Sequence, residues 1–120
     1  MTSHKTIYHI TSKALWQRGV ELGAYHHESL KTEGFIHAAY AHQLDGVIER
    51  YFSNWTRAQI LCIDLSRVEA DVRLEGPAEH GGPFPHIYGP LNLDAVERIL
   101  TALSGEEGRL RLPADIPQGK

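Results

Sequence analysis

Three histidines lie inside short apolar runs: Ile7-Tyr8-His9-Ile10-Thr11, Gly34-Phe35-Ile36-His37-Ala38-Ala39 and Phe84-Pro85-His86-Ile87-Tyr88-Gly89-Pro90. An imidazole taken out of water needs a partner for each ring nitrogen. Three of them in hydrophobic strands are costly unless they converge on a ligand, a metal or one another. Each also has a plainer reading, a core histidine satisfied on its own. Strand alternation puts His9 on the side of Ile7, opposite Tyr8 and Ile10, and Thr11 returns to His9's side. A histidine followed by a hydroxyl at a strand-to-helix junction suits a grip on sugar hydroxyls. His37 shares a face with Phe35, and the small Ala38 and Ala39 leave room beside it.

His86 and Tyr88 share a face between Pro85 and the bend at Gly89-Pro90. A phenol beside an imidazole there suits stacking on a flat ligand ring; the alternative is a core tyrosine with its hydroxyl at the rim. Arg73 and Glu75 alternate onto one face of a short strand. They read either as a surface pair or as an anion contact and a carboxylate reaching a cleft. The adjacent His26-His27 reads as solvated loop, as do His4, His42 and His80. No Cys-x-x-Cys, His-x-His or His-Glu-x-x-His spacing occurs, nor a Gly-x-Ser-x-Gly elbow or a Gly-x-Gly-x-x-Gly loop. A metal held by distant histidines is the weakest of the chemical readings.

These residues need a scaffold, and 120 residues supply one domain. The net charge of −3 comes without a basic block, so nothing marks a generic nucleic-acid surface. The single cysteine, Cys62, permits no intrachain disulfide and suits a reducing cytoplasm. No secretory signal or membrane-length apolar stretch is evident.

The pattern predicts strands at Thr6 to Ile10, Phe35 to Ala38, Gln59 to Leu65, Val72 to Glu75 and His86 to Tyr88. The fully apolar run around Cys62 is expected to be central and covered on both faces. Helices are predicted from Ser12 to Glu21 after a Thr11 cap, with Leu15, Gly19 and Leu22 as an apolar stripe. A second is predicted from Leu44 to Trp55, and a third from Leu93 to Leu103 after an Asn92 cap. Gly23 should end the first helix, Ala24 to Thr32 and Gly76 to Pro85 should be irregular, and Arg109 to Leu112 should be an edge strand. The class is α+β: a compact single domain over 1–112 with a split, bent sheet and three helices, then a frayed tail over 113–120.

In this order the strings resemble an uncharacterised family, Domain of Unknown Function 952. The likeness runs through Ile7 to Thr11, Trp16, Gly23 with Tyr25, Ser29-Leu30, Glu33 to His37, Gln43, Ile63-Asp64, Arg73 to Glu75 and Phe84 to Leu91. The family often carries cysteine or serine after the second histidine, where this chain has Ala38-Ala39. That family is in turn similar to ADP-ribosyltransferase-fold proteins, most of all the RNA 2′-phosphotransferase branch, which uses nicotinamide adenine dinucleotide (NAD). Tyr8 to Thr11 and Phe35 to His37 resemble the strand ends that line its NAD cleft. The resemblance implies an ADP-ribosyltransferase-like fold and a nucleotide cleft. The resemblance puts His9 on the nicotinamide ribose or carboxamide and His37 against the ribose hydroxyls, and it offers no secure counterpart for His86 and Tyr88. Read together with the residues' own chemistry, His9, Thr11, Tyr25, His37, His86 and Tyr88 would hold the cofactor, and His9, His37 and Glu75 would serve catalysis. An early arginine of that branch is missing, and only Arg73 is a counterpart for its anion-binding arginines. A non-catalytic ligand- or partner-binding module is the alternative.

Overall fold

The first apolar run forms strand β1 (Thr6–Thr11). Its alternate side chains enter two separate cores: Tyr8 and Ile10 pack in one, Ile7 in the other. The computed structural model describes residues 5–105 and 108–116. Ser12, not Thr11, caps helix α1 (Lys13–Leu22), its hydroxyl accepting from the Leu15 N–H at 3.1 Å. This leaves the Thr11 side chain free for the site. Gly23 ends the helix at φ 87°, a left-handed position that suits glycine. The helix faces inward through Gly19 and Trp16. Leu15 and Leu22 of the expected apolar stripe are exposed.

The segment expected to be irregular contains strand β2 (Ala24–Tyr25) and the one-turn helix α2 (Ser29–Thr32). Strand β3 (Ile36–His37) follows, then helix α3 (Leu44–Tyr51), shorter than its periodicity suggests, with Leu44 and Ile48 buried. Phe52 and Trp55 still pack on the same core from beyond the helix end. Next come β4 (Arg57–Asp64), β5 (Asp71–Glu75), β6 (Phe84–Tyr88) and β7 (Leu91–Asn92).

The predicted third long helix is instead strand β8 (Val96–Leu103), preceded by a single 3-10 turn at Leu93–Ala95. Two features explain the difference. Both faces of β8 are covered, which erases the period-2 signal: Leu100 and Ala102 serve one core, Val96 and Ile99 the other. A bulge also shifts the register, so that Cys62 faces Arg98 while Ile63 faces Val96. The extra residue brings Val96 and Ile99 to one side, a spacing of three that imitates a helix. Asn92 makes no capping bond; it holds the 67–69 turn, donating to the Arg67 carbonyl at 2.9 Å and accepting from the Glu69 N–H at 3.0 Å.

The strands form antiparallel sheets in the orders β1-β4-β8, β2-β7 and β3-β6-β5. β4 is central, as its apolar run predicts. Ala58, Ile60 and Cys62 face one core, and Leu61 and Ile63 the other. Tyr8 and Ala39 exchange both main-chain hydrogen bonds, 2.8 Å each, and so stitch β1 to the residues just after β3. The result is a compact α+β domain with split sheets and three helices.

Gln43 braces the irregular side of the fold. Its Oε1 accepts from the Tyr40 N–H at 2.8 Å, and its Nε2 donates to the Gly81 and Pro83 carbonyls at 2.9 and 2.8 Å. Arg109 to Leu112 forms only an isolated bridge, Ser104 with Leu110, rather than a strand. The tail suggested from Pro113 is packed as far as Ile116, which is buried in the first core. Residues 117–120 lie outside the described residues.

Candidate functional site

Side chains from β1, β2, β3, β5 and β6, and from the 26–35 segment, meet where the β1 and β3 sheets join. The inner part is a hydrogen-bonded chain. His9 Nδ1 lies 2.5 Å from the His37 carbonyl, and His9 Nε2 lies 2.7 Å from the Tyr25 hydroxyl. Tyr25 Oη also lies 2.7 Å from Thr11 Oγ1. A carbonyl only accepts, so Nδ1 carries a proton. The single Tyr25 proton serves either Thr11 or His9. Serving Thr11 would require Nε2 to donate as well, making the ring an imidazolium. Burial holds His9 down at about 3. The neutral ring therefore dominates, with Thr11 donating to Tyr25 and Tyr25 to His9. Tyr25 stays a phenol, pushed up to about 12 by its own burial.

Position 19 admits Tyr25 because it is glycine. A Cβ there would stand 2.9 Å from the Tyr25 Cα, so α1 and β2 could not approach as closely. His27 closes the inner chain, its ring 5.4 Å from that of His9 and nearly perpendicular to it. The Ser29 N–H donates to its Nδ1 at 3.1 Å. Burial and then the neighbouring His37 hold His27 below the usual imidazole range.

The outer part is a face of rings on the β3-β6-β5 sheet. The register pairs His37 with His86, and His86 with Arg73, across neighbouring strands. The His37 and His86 rings are 5.4 Å apart. Phe35 lies flat on His86, centroids 3.9 Å apart and planes 10° apart, and it also touches His37 and Tyr88. One carboxylate oxygen, Glu75 Oε1, accepts from His86 Nδ1 at 2.9 Å and from the Tyr88 hydroxyl at 2.5 Å. Those two bonds, Tyr88's first, hold the Glu75 carboxyl below the usual range, while Glu75 raises Tyr88. The Arg73 guanidinium sits 4.5 Å from the Tyr88 ring centroid. Glu33 meets His37 Nε2 at 3.1 Å, both side chains about half exposed.

The geometry thus divides the residues selected from sequence. His37, His86, Tyr88, Glu75 and Arg73 share the outer face. His9, Thr11 and Tyr25 stand behind it with their polar atoms satisfied by one another and by the His37 carbonyl. Tyr25 and Thr11 are 0% and 1% exposed, so they brace the face from within instead of touching a ligand. Sequence reasoning missed Phe35 as a stacking ring and placed His27 in solvent. The strand periodicity of Phe35 with His37 carried the first signal. The second had none, because a polar loop does not announce which of two adjacent histidines turns inward. His26 is the exposed one.

Among the described residues, no group of three or more His, Cys, Asp or Glu side chains is placed to hold a metal ion. Cys62 is buried, and burial pushes its thiol up, away from reactivity. Two surface hollows, about 570 and 440 Å³, lie elsewhere, beside Ile48 and Arg109 and beside Tyr40 and Val72. The ring face is the better candidate because the convergent polar and aromatic groups are there. No described helix is long and apolar enough to cross a membrane.

No curated protein matches the chain. Its fold is similar to the crystal structure of protein CC0527 from Caulobacter crescentus, at 24% identity and a TM-score of 0.79, covering 88% of this chain and 93% of that one. The solution structure of the same protein matches at 25% identity and a TM-score of 0.73, covering 87% and 90%. The family model described as protein of unknown function (DUF952) matches residues 10–99, and the chain belongs to that family.

Proposed function

We propose that the ring face binds a nucleotide, NAD foremost, and that the protein transfers its ADP-ribosyl group on an ADP-ribosyltransferase-like scaffold in the cytoplasm. One observation carries this: four rings from two segments, Phe35 and His37 with His86 and Tyr88, cluster on one face, and two of them bond an ionised carboxylate, Glu75. Phe35 and Tyr88 offer flat surfaces to nicotinamide or adenine. His37 and Arg73 reach the ribose and phosphate oxygens. Breaking the nicotinamide–ribose bond builds positive charge on the sugar, and a preorganised Glu75 anion stabilises it. His9 acts from behind, holding the His37 main chain through its carbonyl.

Isothermal titration with NAD, paired with a nicotinamide-release assay, tests this. Binding with turnover, abolished in His37→Ala, supports the reading. Binding without turnover makes the face a non-catalytic ligand-binding module, which the single arginine would suit. Silence in both assays at about millimolar NAD, the upper end of ordinary substrate affinities, removes the proposal.

A further inference from the structure

We propose that His86 is the general base of this face, its Nε2 taking the proton of the hydroxyl or water that attacks the sugar. The inference rests on the group-transfer reading for its reaction, but not for the state of the ring. Glu75 is ionised at neutral pH and can only accept, so the bond at 2.9 Å places a proton on His86 Nδ1. The neutral ring then carries its lone pair on Nε2. Phe35, stacked at 3.9 Å, fixes the ring plane, and turning the ring over would break the bond to Glu75. Nε2 has no hydrogen-bond partner among the described residues. No buried side-chain nitrogen or oxygen there is left unpartnered, so Nε2 reaches solvent at the edge of the face.

The other three imidazoles differ at this point. Both His9 nitrogens are occupied. His27 accepts at Nδ1, so its neutral ring carries the proton on Nε2 and is a donor. His37 has a carboxylate partner too, but that pair is half exposed and water competes for it, whereas the His86 side chain is 11% exposed. The groups facing His86 are Glu75 and Arg73 from β5, Tyr88 from its own strand, and His37 and Phe35 from across β3, with Glu33 behind His37.

The step balances. The O–H bond of the acceptor breaks and its proton forms N–H at Nε2. The acceptor oxygen bonds to the ribose C1. The C1–N bond breaks and its electron pair leaves on the nicotinamide nitrogen. The resulting imidazolium is offset by Glu75.

Long-range proton–nitrogen NMR on the whole chain reads the tautomer directly and needs no variant. We expect His86 as the Nδ1–H form in the wild type and its loss in Glu75→Ala. In the nicotinamide-release assay, His86→Ala should lower kcat by about 10²-fold or more, the usual share of a general base. The fall in kcat should exceed any weakening of NAD binding in the same variant, measured by titration, because the ring on which Phe35 stacks is lost as well. An Nε2–H tautomer overturns the assignment of His86 whatever NAD does, as does a variant that keeps wild-type kcat. No nicotinamide release by the wild type overturns the transfer reading, and the acceptor step with it, whatever the tautomer.

Discussion

Acid should destabilise this fold through His9. A free imidazole titrates near 6.5, and burial holds the His9 ring at about 3. Between those values the unfolded chain binds a proton at this position and the folded chain does not. Stability therefore rises with pH across the window, is fully present above about 6.5, and falls as pH drops toward about 3. At about pH 5 the unfolded state gains about 2 kcal/mol from this one group, and at about pH 4 about 3 kcal/mol. The figure at pH 5 hardly depends on where the folded ring titrates, provided that lies below about pH 4. The assay is urea unfolding followed by Trp16 and Trp55 fluorescence, on the wild type and His9→Asn, at about pH 7.5 and about pH 5. Asparagine keeps a donor near the position of Nδ1 but does not titrate. Comparing the two proteins at each pH isolates what position 9 contributes. The wild type's advantage should shrink by about 2 kcal/mol on going to the lower pH. A change below about 0.5 kcal/mol would refute the reasoning, as would an NMR titration of the His9 ring with its midpoint above about pH 5.

Gly19→Ala tests the contact that seats Tyr25. Helix propensity favours alanine by about 1 kcal/mol. The new Cβ, however, meets the Tyr25 Cα at 2.9 Å, main chain that yields poorly. We expect a net loss of about 1–3 kcal/mol in thermal or urea unfolding; an equal or more stable variant would show that α1 and β2 can separate freely. Gln43→Leu removes the donor to two loop carbonyls at a residue that is 7% exposed. A loss of about 2–3 kcal/mol is expected, and a variant within about 0.5 kcal/mol of the wild type would mean that water already serves those carbonyls.

The residues that alternate cleanly, or that sit in uniformly apolar runs, were legible. Tyr8 and Ile10 sorted correctly into one core and Ile7 into the other, and Gln59 to Leu65 announced a central strand. Val96 to Leu103 misled because β8 combines two covered faces with a bulge, and the sum has the spacing of a helix. Nothing local revealed that β4 had a second edge to fill, which is what recruits this segment as a strand. At the site, the face shared by His86 and Tyr88 was readable from alternation alone, and so was that of Arg73 and Glu75. Their meeting was not, because it depends on the pairing of β5 with β6. The buried role of Tyr25 was also hidden. It is set by a glycine six residues earlier, whose meaning appears only when α1 packs on β2.

The two layers of the site should separate stability from chemistry. His9, Thr11 and Tyr25 are buried and spend their polar atoms on one another, so removing any of them leaves a buried group without a partner, and removing His9 also frees the His37 carbonyl. Glu75 lies at the rim, where water can replace a lost partner, while His86 is largely buried and keeps only the edge of its ring open. Substitution of Glu75 should cost little stability and, under the proposed function, much rate. The same polar residue type thus serves two ends, and what divides them is solvent access at one ring nitrogen. His9 is excluded from proton transfer at neutral pH by the burial that makes it a good brace. His86 keeps one nitrogen in water while a carboxylate holds the other, which is the condition a base must meet to accept a proton without moving.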